Sequence, residues 1–565
     1  MRRTIVLTRH FFDRLFQNEV FPFEDQMKER LYMAGAFLAA LGGFVSNSLL
    51  MKYMFWPDNG TSWQEQTFFL AFFMSVLAIL VVLDWDILFP DPKDYANLIV
   101  LPMRLRMIFG AKFLSFLVFI GLYTVAVNAF AVFVVAFFLP KWRMDGDLGI
   151  LCLYVAAHLL ATAAAFLFVF FLFVFVHALL LLLLPPRLFK RASLLLRFAV
   201  LTVLGFGLMA FVIQSPVLVR LSDGILAAKA AGVSSAAAVP PLWFVGLYET
   251  ILGSQDPVFR SLAGIAVAAT AGLALVYFAA MALTYRRHVR RTPESEGSMD
   301  RMRLIRDRML GWIERLASRD RTEQAVLRFT ADGLRTSSRH RIQIVGFIAL
   351  AFGLDMIFLT SAGPHMMDAA LPSRGLLAAP LVIAFFLIVS LRLAFSVPIS
   401  AEANWIFRLT EGERRAPYHA GRRKAIVVFA LIPLAAGTAA VHFLIWPPGQ
   451  ALLHAAYVFF VSLFLMEIVF ANFAKIPFAC LSVPGKSKLQ FFWAFYVLGF
   501  VIFTAVFSAL ERSFFVRGSG FPAFFVAAGL LLAAIWLLEA RREFERLPIV
   551  YEEKPAPAMI TLSLY

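Results

Sequence analysis

An all-α, polytopic membrane fold of about twelve transmembrane helices, arranged as two parallel six-helix repeats, is predicted by three features of the sequence. Hydrophobic residues fill 61% of the 565 positions and charged residues only 16%. The resulting mean hydropathy of +0.79 is more apolar surface than one water-facing core can hide. Apolar runs of about twenty residues, one bilayer crossing each, recur along the whole chain. The loops between them are alternately rich and poor in arginine and lysine, as the positive-inside rule requires of a chain that crosses repeatedly.

The net charge of +16 sits in those short loops, where anionic lipid accounts for it better than nucleic acid does. Lipid bilayer is therefore an expected partner and nucleic acid is not. The two cysteines, Cys152 and Cys480, fall on opposite sides of the predicted topology, so no disulfide is expected.

Residues 1–30 lack the uninterrupted apolar core of a signal peptide before Asp13. Phe11, Phe12, Leu15 and Phe16 share a helical face, which predicts an amphipathic helix in the interface plane. The first half, 31–284, then crosses near 32–55, 66–86, 111–139, 150–184, 195–215 and 261–284. The second half, 342–541, crosses near 342–362, 376–397, 425–446, 450–472, 490–511 and 522–540. The run Ile150–Leu184 is too long for a perpendicular crossing and should tilt or project. Between the halves lies a basic linker, 285–341, and a tail, 542–565, follows the last span. The even number of crossings and the loop charges place both termini in the cytoplasm of a cell (inner) membrane protein.

In the linker, Met302, Ile305, Met309, Trp312, Ile313 and Leu316 fit one side of a helix, with Asp307 and Glu314 among arginines at helical spacing. That pattern predicts a surface helix. A second should run through Val326, Phe329 and Leu334, unless the segment is simply a solvated bridge.

Asp84 to Lys112 separates the second and third spans and is too charged and proline-rich to enter lipid. Pro90 and Pro92 stop the preceding helix, and Asp94 to Leu101 can form a short one ending before Pro102. Each half repeats one plan: an amphipathic basic segment, two crossings, a polar cytoplasmic segment, two crossings, a proline-containing basic loop and a last pair. Six crossings restore the starting side, so the repeats are parallel.

With Asp94-Tyr95, Leu101-Pro102, Arg104-Leu105-Arg106 and Ala111-Lys112, this segment resembles the coupling-helix region in the permeases of type-two ABC exporters. Those permeases have six spans per half, an N-terminal elbow helix and an external element between the last two spans. Pro240 to Glu249 stands in that last place. The resemblance implies two half-permeases fused into one chain, exporting by alternating access. It further implies an ATPase-coupling surface of Asp94, Tyr95, Arg104, Arg106, Arg187, Asn404 and Arg408, and an external gate of Trp243, Tyr248 and Glu249. The second half matches less closely: Asn404-Trp405-Ile406-Phe407-Arg408 replaces the coupling pattern, and Arg512–Phe521 is too short for a hairpin.

No ATPase is encoded. Gly485-Lys486-Ser487 would need glycine at 480 to form a phosphate-binding loop, and that position is Cys480. ATP would act through a separate cytoplasmic nucleotide-binding subunit, most simply in two copies, and this chain itself is expected to bind no cofactor or metal and to be no enzyme. Charges inside spans are the remaining candidates, because one at the bilayer centre costs roughly 2.5–3.5 kcal/mol on insertion scales. They are Asp355, His442, His454 and Glu467, with His158 and His177 as weaker cases. Arg392 lies roughly 10 Å from the depth of Asp355, too far to be its partner. The phenylalanine-rich runs suit a hydrophobic substrate without identifying one. A secondary transporter and an intramembrane lipid-handling protein remain as alternatives; no catalytic residues are found at a shared depth.

Overall fold

The apolar runs fold as long helices because a backbone that leaves water must satisfy its N–H and C=O groups within its own segment. The computed structural model describes residues 2–16, 25–55, 62–85, 105–137, 148–213, 230, 236–291, 301–361, 372–399, 404–411, 415–480, 489–543 and 549–551. Within these residues the regular structure is helical throughout. The first part of the chain forms α1 (Arg2–Phe16), α2 (Asp25–Phe55), α3 (Ser62–Leu83), α4 (Leu105–Phe137), α5 (Leu148–Leu183), α6 (Pro186–Ile213), α7 (Pro240–Ile251) and α8 (Pro257–Arg291). There follow α9 (Arg301–Ala317), α10 (Arg321–Thr336), α11 (Ser338–Ser361), α12 (Arg374–Phe395) and α13 (Trp405–Thr410). The last helices are α14 (Ala416–His442), α15 (Pro448–Phe470), α16 (Leu489–Arg517) and α17 (Phe521–Glu543).

Among the described residues, eleven helices contain stretches long and apolar enough to cross a membrane, so the protein is an all-α, multi-pass membrane protein. These eleven coincide with the second to twelfth expected spans. The first expected span falls in α2, where the described apolar stretch is the shorter Ala34–Asn47. The overlong run becomes α5, whose 36 residues extend roughly 54 Å at about 1.5 Å each. Leu122, Val125, Phe130 and Phe133 on α4, and Leu530, Leu531 and Leu537 on α17, are exposed, a pattern that fits contact with lipid and is costly in water.

The chain divides into two compact units, Met1–Val200 with Gly207–Glu296, and Leu201–Phe206 with Gly297–Tyr565. In the first unit α5 is the central post, packed by α3, α4, α7 and α8. Phe166 of α5 meets Tyr123 of α4 edge-on at 4.9 Å, and the Tyr123 hydroxyl donates to the Phe73 carbonyl at 2.9 Å. Amphipathic α1 buries Leu7 and Phe11 against Ile108 and Ala111 at the start of α4, with Ile5 and Val6 exposed. The short helix α7 folds back on α8 through a turn at Gly253. A Cβ at Gly246 would lie 2.6 Å from Leu262 Cβ and 2.7 Å from the Phe259 carbonyl oxygen, so only glycine lets the two helices approach this closely.

In the second unit α12 is central, between α11, α15 and α16. Leu381, Ile388 and Phe385 meet Tyr457, Val461 and Phe503 in one aromatic-rich core. Within α14 the residues Val427–Leu431 form a π turn directly before Ile432 and Pro433. A proline there has no N–H for the preceding turn and its ring crowds the carbonyl beneath it; the wider turn relieves both. Helix α10 seals the basic end of this unit by lying on α14. A Cβ at Gly421 would meet the Glu323 carbonyl oxygen and Val326 Cβ, both at 2.9 Å.

Candidate functional site

At the end of α14 the chain turns through Phe443–Pro447 into α15, and this turn gathers aromatic and titratable side chains. The Trp446 backbone N–H donates to the His442 carbonyl at 2.7 Å, and the indole lies by the imidazole at a centroid distance of 4.8 Å. His454, two turns into α15, lies 4.4 Å from His442 and 5.5 Å from Trp446, centroid to centroid. Its Nδ1 is 2.6 Å from Glu511 Oε1 on α16. His442, Trp446, His454 and Glu511 are all buried.

The hydrogen bonds restrict where protons sit. His442 Nδ1 lies 2.8 Å from the Thr438 carbonyl; a carbonyl only accepts, so Nδ1 carries the proton. One proton lies between His454 Nδ1 and Glu511 Oε1, either as imidazole N–H to carboxylate or as carboxylic acid to imidazole. His442 Nε2, His454 Nε2, Glu511 Oε2 and Trp446 Nε1 have no hydrogen-bond partner among the described residues. Buried polar atoms in this state are costly, and such clusters inside membranes commonly move protons or bind polar ligands. Among the described residues, no three His, Cys, Asp or Glu side chains are placed to hold a metal ion.

The other intramembrane candidates separate. Asp355 is buried in α11 with both carboxyl oxygens unpartnered among the described residues, and no hydrogen bond or ion pair joins it to either histidine. Glu467 is an anchoring group: it pairs with Arg423 at 2.9 Å and accepts the Trp536 indole N–H at 2.8 Å. In the first unit, Gln66 Nε2 donates to His158 Nδ1 at 2.7 Å, and Asn128 Nδ2 reaches Thr162 Oγ1 at 3.3 Å. Of the external-gate residues, Tyr248 and Glu249 are buried within α7 and its neighbours. Trp243 is half-buried against Phe168 and donates its indole N–H to the Ala237 carbonyl.

Asp94, Tyr95 and Arg104 lie outside the described residues, and Arg106 and Arg187 fall in the first turns of α4 and α6. What the structure does describe is the root of that segment. Trp85, fully buried two residues past α3, donates to Ser193 Oγ at 3.2 Å, with Arg197 over its ring at 4.8 Å and His177 edge-on at 5.2 Å. In the second unit, α13 lies between the crossings α12 and α14. Asn404 is turned inward, its Nδ2 donating to the Tyr551 carbonyl at 3.2 Å. Arg408 stacks on the Tyr551 ring at 5.5 Å and remains exposed. The returning segment Ile549–Tyr551 is held by Val550 N donating to the Ala474 carbonyl and by Ile549 packing with Val326, Phe407 and Tyr418. Beyond this cover, Trp405 is 61% and Leu409 77% exposed, with Ile406 beside them.

Below the π turn, an apolar cavity of about 300 Å³ opens between α10, α11, α12 and α14; Leu334, Ile344, Leu391, Phe395, Phe429 and Pro433 are among its walls. Its lining suits an alkyl chain and offers nothing to a charged group. Comparison with known protein families, curated proteins and solved structures finds no match to this chain.

Proposed function

We propose that the protein is the membrane-spanning permease of an ATP-driven exporter, working by alternating access with a separate cytoplasmic ATPase subunit. The observation that carries this reading is α13. A six-residue helix between two crossings, at the end of its unit that bears Arg415, Arg422, Arg423 and Lys424, holds Trp405, Ile406 and Leu409 in the open. Large apolar side chains concentrated beside arginine on a short rigid helix are the composition of a protein-docking knob. Phe407, on the opposite side, is buried against Phe329 and Tyr418, so force applied to the knob would pass into α10 and α14 as a rigid-body movement. The Trp85 clamp supplies a comparable fixed root in the first unit, in the segment that resembles a coupling region. Because Asn404 is covered by Tyr551, the docking surface in the second unit narrows to Trp405, Ile406, Arg408 and Leu409. The apolar cavity and the phenylalanine-rich walls favour a hydrophobic cargo.

The test is co-purification of the full chain with the P-loop ATPase encoded beside it, followed by ATPase activity of the reconstituted pair. A stable complex whose hydrolysis rises when the permease is present is expected, and Asp94→Arg should weaken assembly while the permease stays folded. No assembly with any such subunit would refute the reading.

The His442–His454–Glu511 cluster favours a second reading, proton-coupled secondary transport. Proteoliposomes separate the two. Transport that needs ATP and the partner supports the first; transport driven by a proton gradient alone, and lost in Glu511→Gln, supports the second.

A further inference from the structure

Helix α9 has its faces distributed in the reverse of a globular helix. The side turned toward α10 carries Glu314, which is buried and pairs with Arg328 at 3.7 Å. The side turned away carries the apolar stripe: Met309 is 60%, Trp312 66% and Leu316 74% exposed. Those three lie at i, i+3 and i+7, one continuous line along the helix. Arg308 and Arg315, both exposed, stand at one edge of that line, separated by a turn on either side of Trp312.

The corner that ends α9 is fixed in depth. The Ser318 hydroxyl and the Lys424 ammonium both bond the Glu323 carboxylate, and Gln324 Nε2 donates to the Ser318 carbonyl at 2.7 Å. Lys424 directly precedes the apolar stretch of the crossing helix α14, next to Arg423, which pairs with Glu467 and lies 5.6 Å over the Trp536 ring at the end of another crossing. A rank of lysine, arginine and tryptophan at helix ends marks the headgroup level of a bilayer. The C-terminal end of α9 is tied to that level.

We infer that α9 is an anionic-lipid-binding helix: Met309, Trp312 and Leu316 enter the acyl boundary of the basic-side leaflet, and Arg308 and Arg315 meet headgroup phosphates. An exposed apolar line flanked by arginines, starting at headgroup depth, is the arrangement of an interfacial helix. The positive edge selects a negatively charged surface over a zwitterionic one. This inference stands independently of the cargo and of the energy source.

The test uses the full chain in lipid nanodiscs, with Cys152→Ala and Cys480→Ala and a single Trp312→Cys carrying an environment-sensitive fluorophore. Discs of phosphatidylcholine alone are compared with discs containing phosphatidylglycerol. In anionic discs, nitroxide lipid should quench the label strongly and aqueous iodide weakly. Arg308→Gln and Arg315→Gln should each shift the label toward iodide by roughly fivefold in the docking equilibrium. Leu316→Cys, a second exposed position on the same line, should give the same result if Trp312→Cys fails to fold. Equal iodide access in both lipid compositions would overturn the inference, and so would protection from both quenchers, which would mean that protein covers the face.

Discussion

Replacing Trp405 with alanine isolates the docking knob from the fold. The side chain is 61% exposed, so of the roughly 200 Å² that a tryptophan can bury, about 120 Å² still faces water. Covering that area with a partner is worth about 3 kcal/mol at about 25 cal/mol per Å². Truncation should forfeit about 2 kcal/mol of this, or roughly thirtyfold in Kd, the size of an interface hot spot. The same substitution should change the folding stability of the isolated permease by no more than about 0.5 kcal/mol, because the exposed indole contributes little to the core. The assay pairs affinity for the ATPase subunit, measured with the permease in nanodiscs, with a thermal melt of the permease alone. Unchanged affinity with an unchanged melt would refute the assignment of α13. A lowered melt would mean that Trp405 is part of the packing.

Three further outcomes follow from the geometry. Glu511→Ala leaves His454 buried beside an empty acceptor position and should destabilise the second unit by about 1–3 kcal/mol, whereas Glu511→Gln, which keeps shape and a hydrogen bond, should melt near wild type; equal melting of both variants would contradict the pairing. Gly246→Val forces a side chain into Leu262 and the Phe259 carbonyl and should cost at least about 1–3 kcal/mol, while Gly264→Ala, with open space around it, is the control; a hairpin that tolerates valine in a melt would show that α7 does not sit so tightly on α8. Burial pushes the Glu314 carboxyl above its ordinary range, with Arg328 pulling the other way. The folded form therefore holds the proton more tightly, and stability contributed at the α9–α10 corner is full below the ordinary carboxylate range and falls as pH rises through the raised value; hydrogen exchange at the corner should show this slope in wild type and lose it in Glu314→Gln.

The fold was legible because the bilayer imposes a length. Apolar runs of the required span, bounded by arginine or proline, predict long helices at the second to twelfth positions, and those helices are present. Composition alone could not say which polar groups meet. His454 and Glu511 are 57 residues apart in sequence, and Glu511 reads as the end of a span, whereas α16 continues to Arg517 and carries it inside. Trp85 reads as the start of a loop, yet it is buried because α6 supplies Ser193 and Arg197. Asn404 reads as a surface residue because nothing in its neighbourhood announces that Ile549–Tyr551 returns across it. Periodicity found the stripe on α9 but carries no sign for inside or outside; Glu314 and Arg328 decide that.

Photo-crosslinking from position 409 in native membranes reads directly whether α13 docks an ATPase subunit. With a photoreactive residue replacing Leu409, an adduct to a cytoplasmic P-loop ATPase subunit is expected, lost when Trp405 is also replaced by alanine. An adduct confined to the protein's own C-terminal segment, or labelling from the outer face of the membrane, would contradict it.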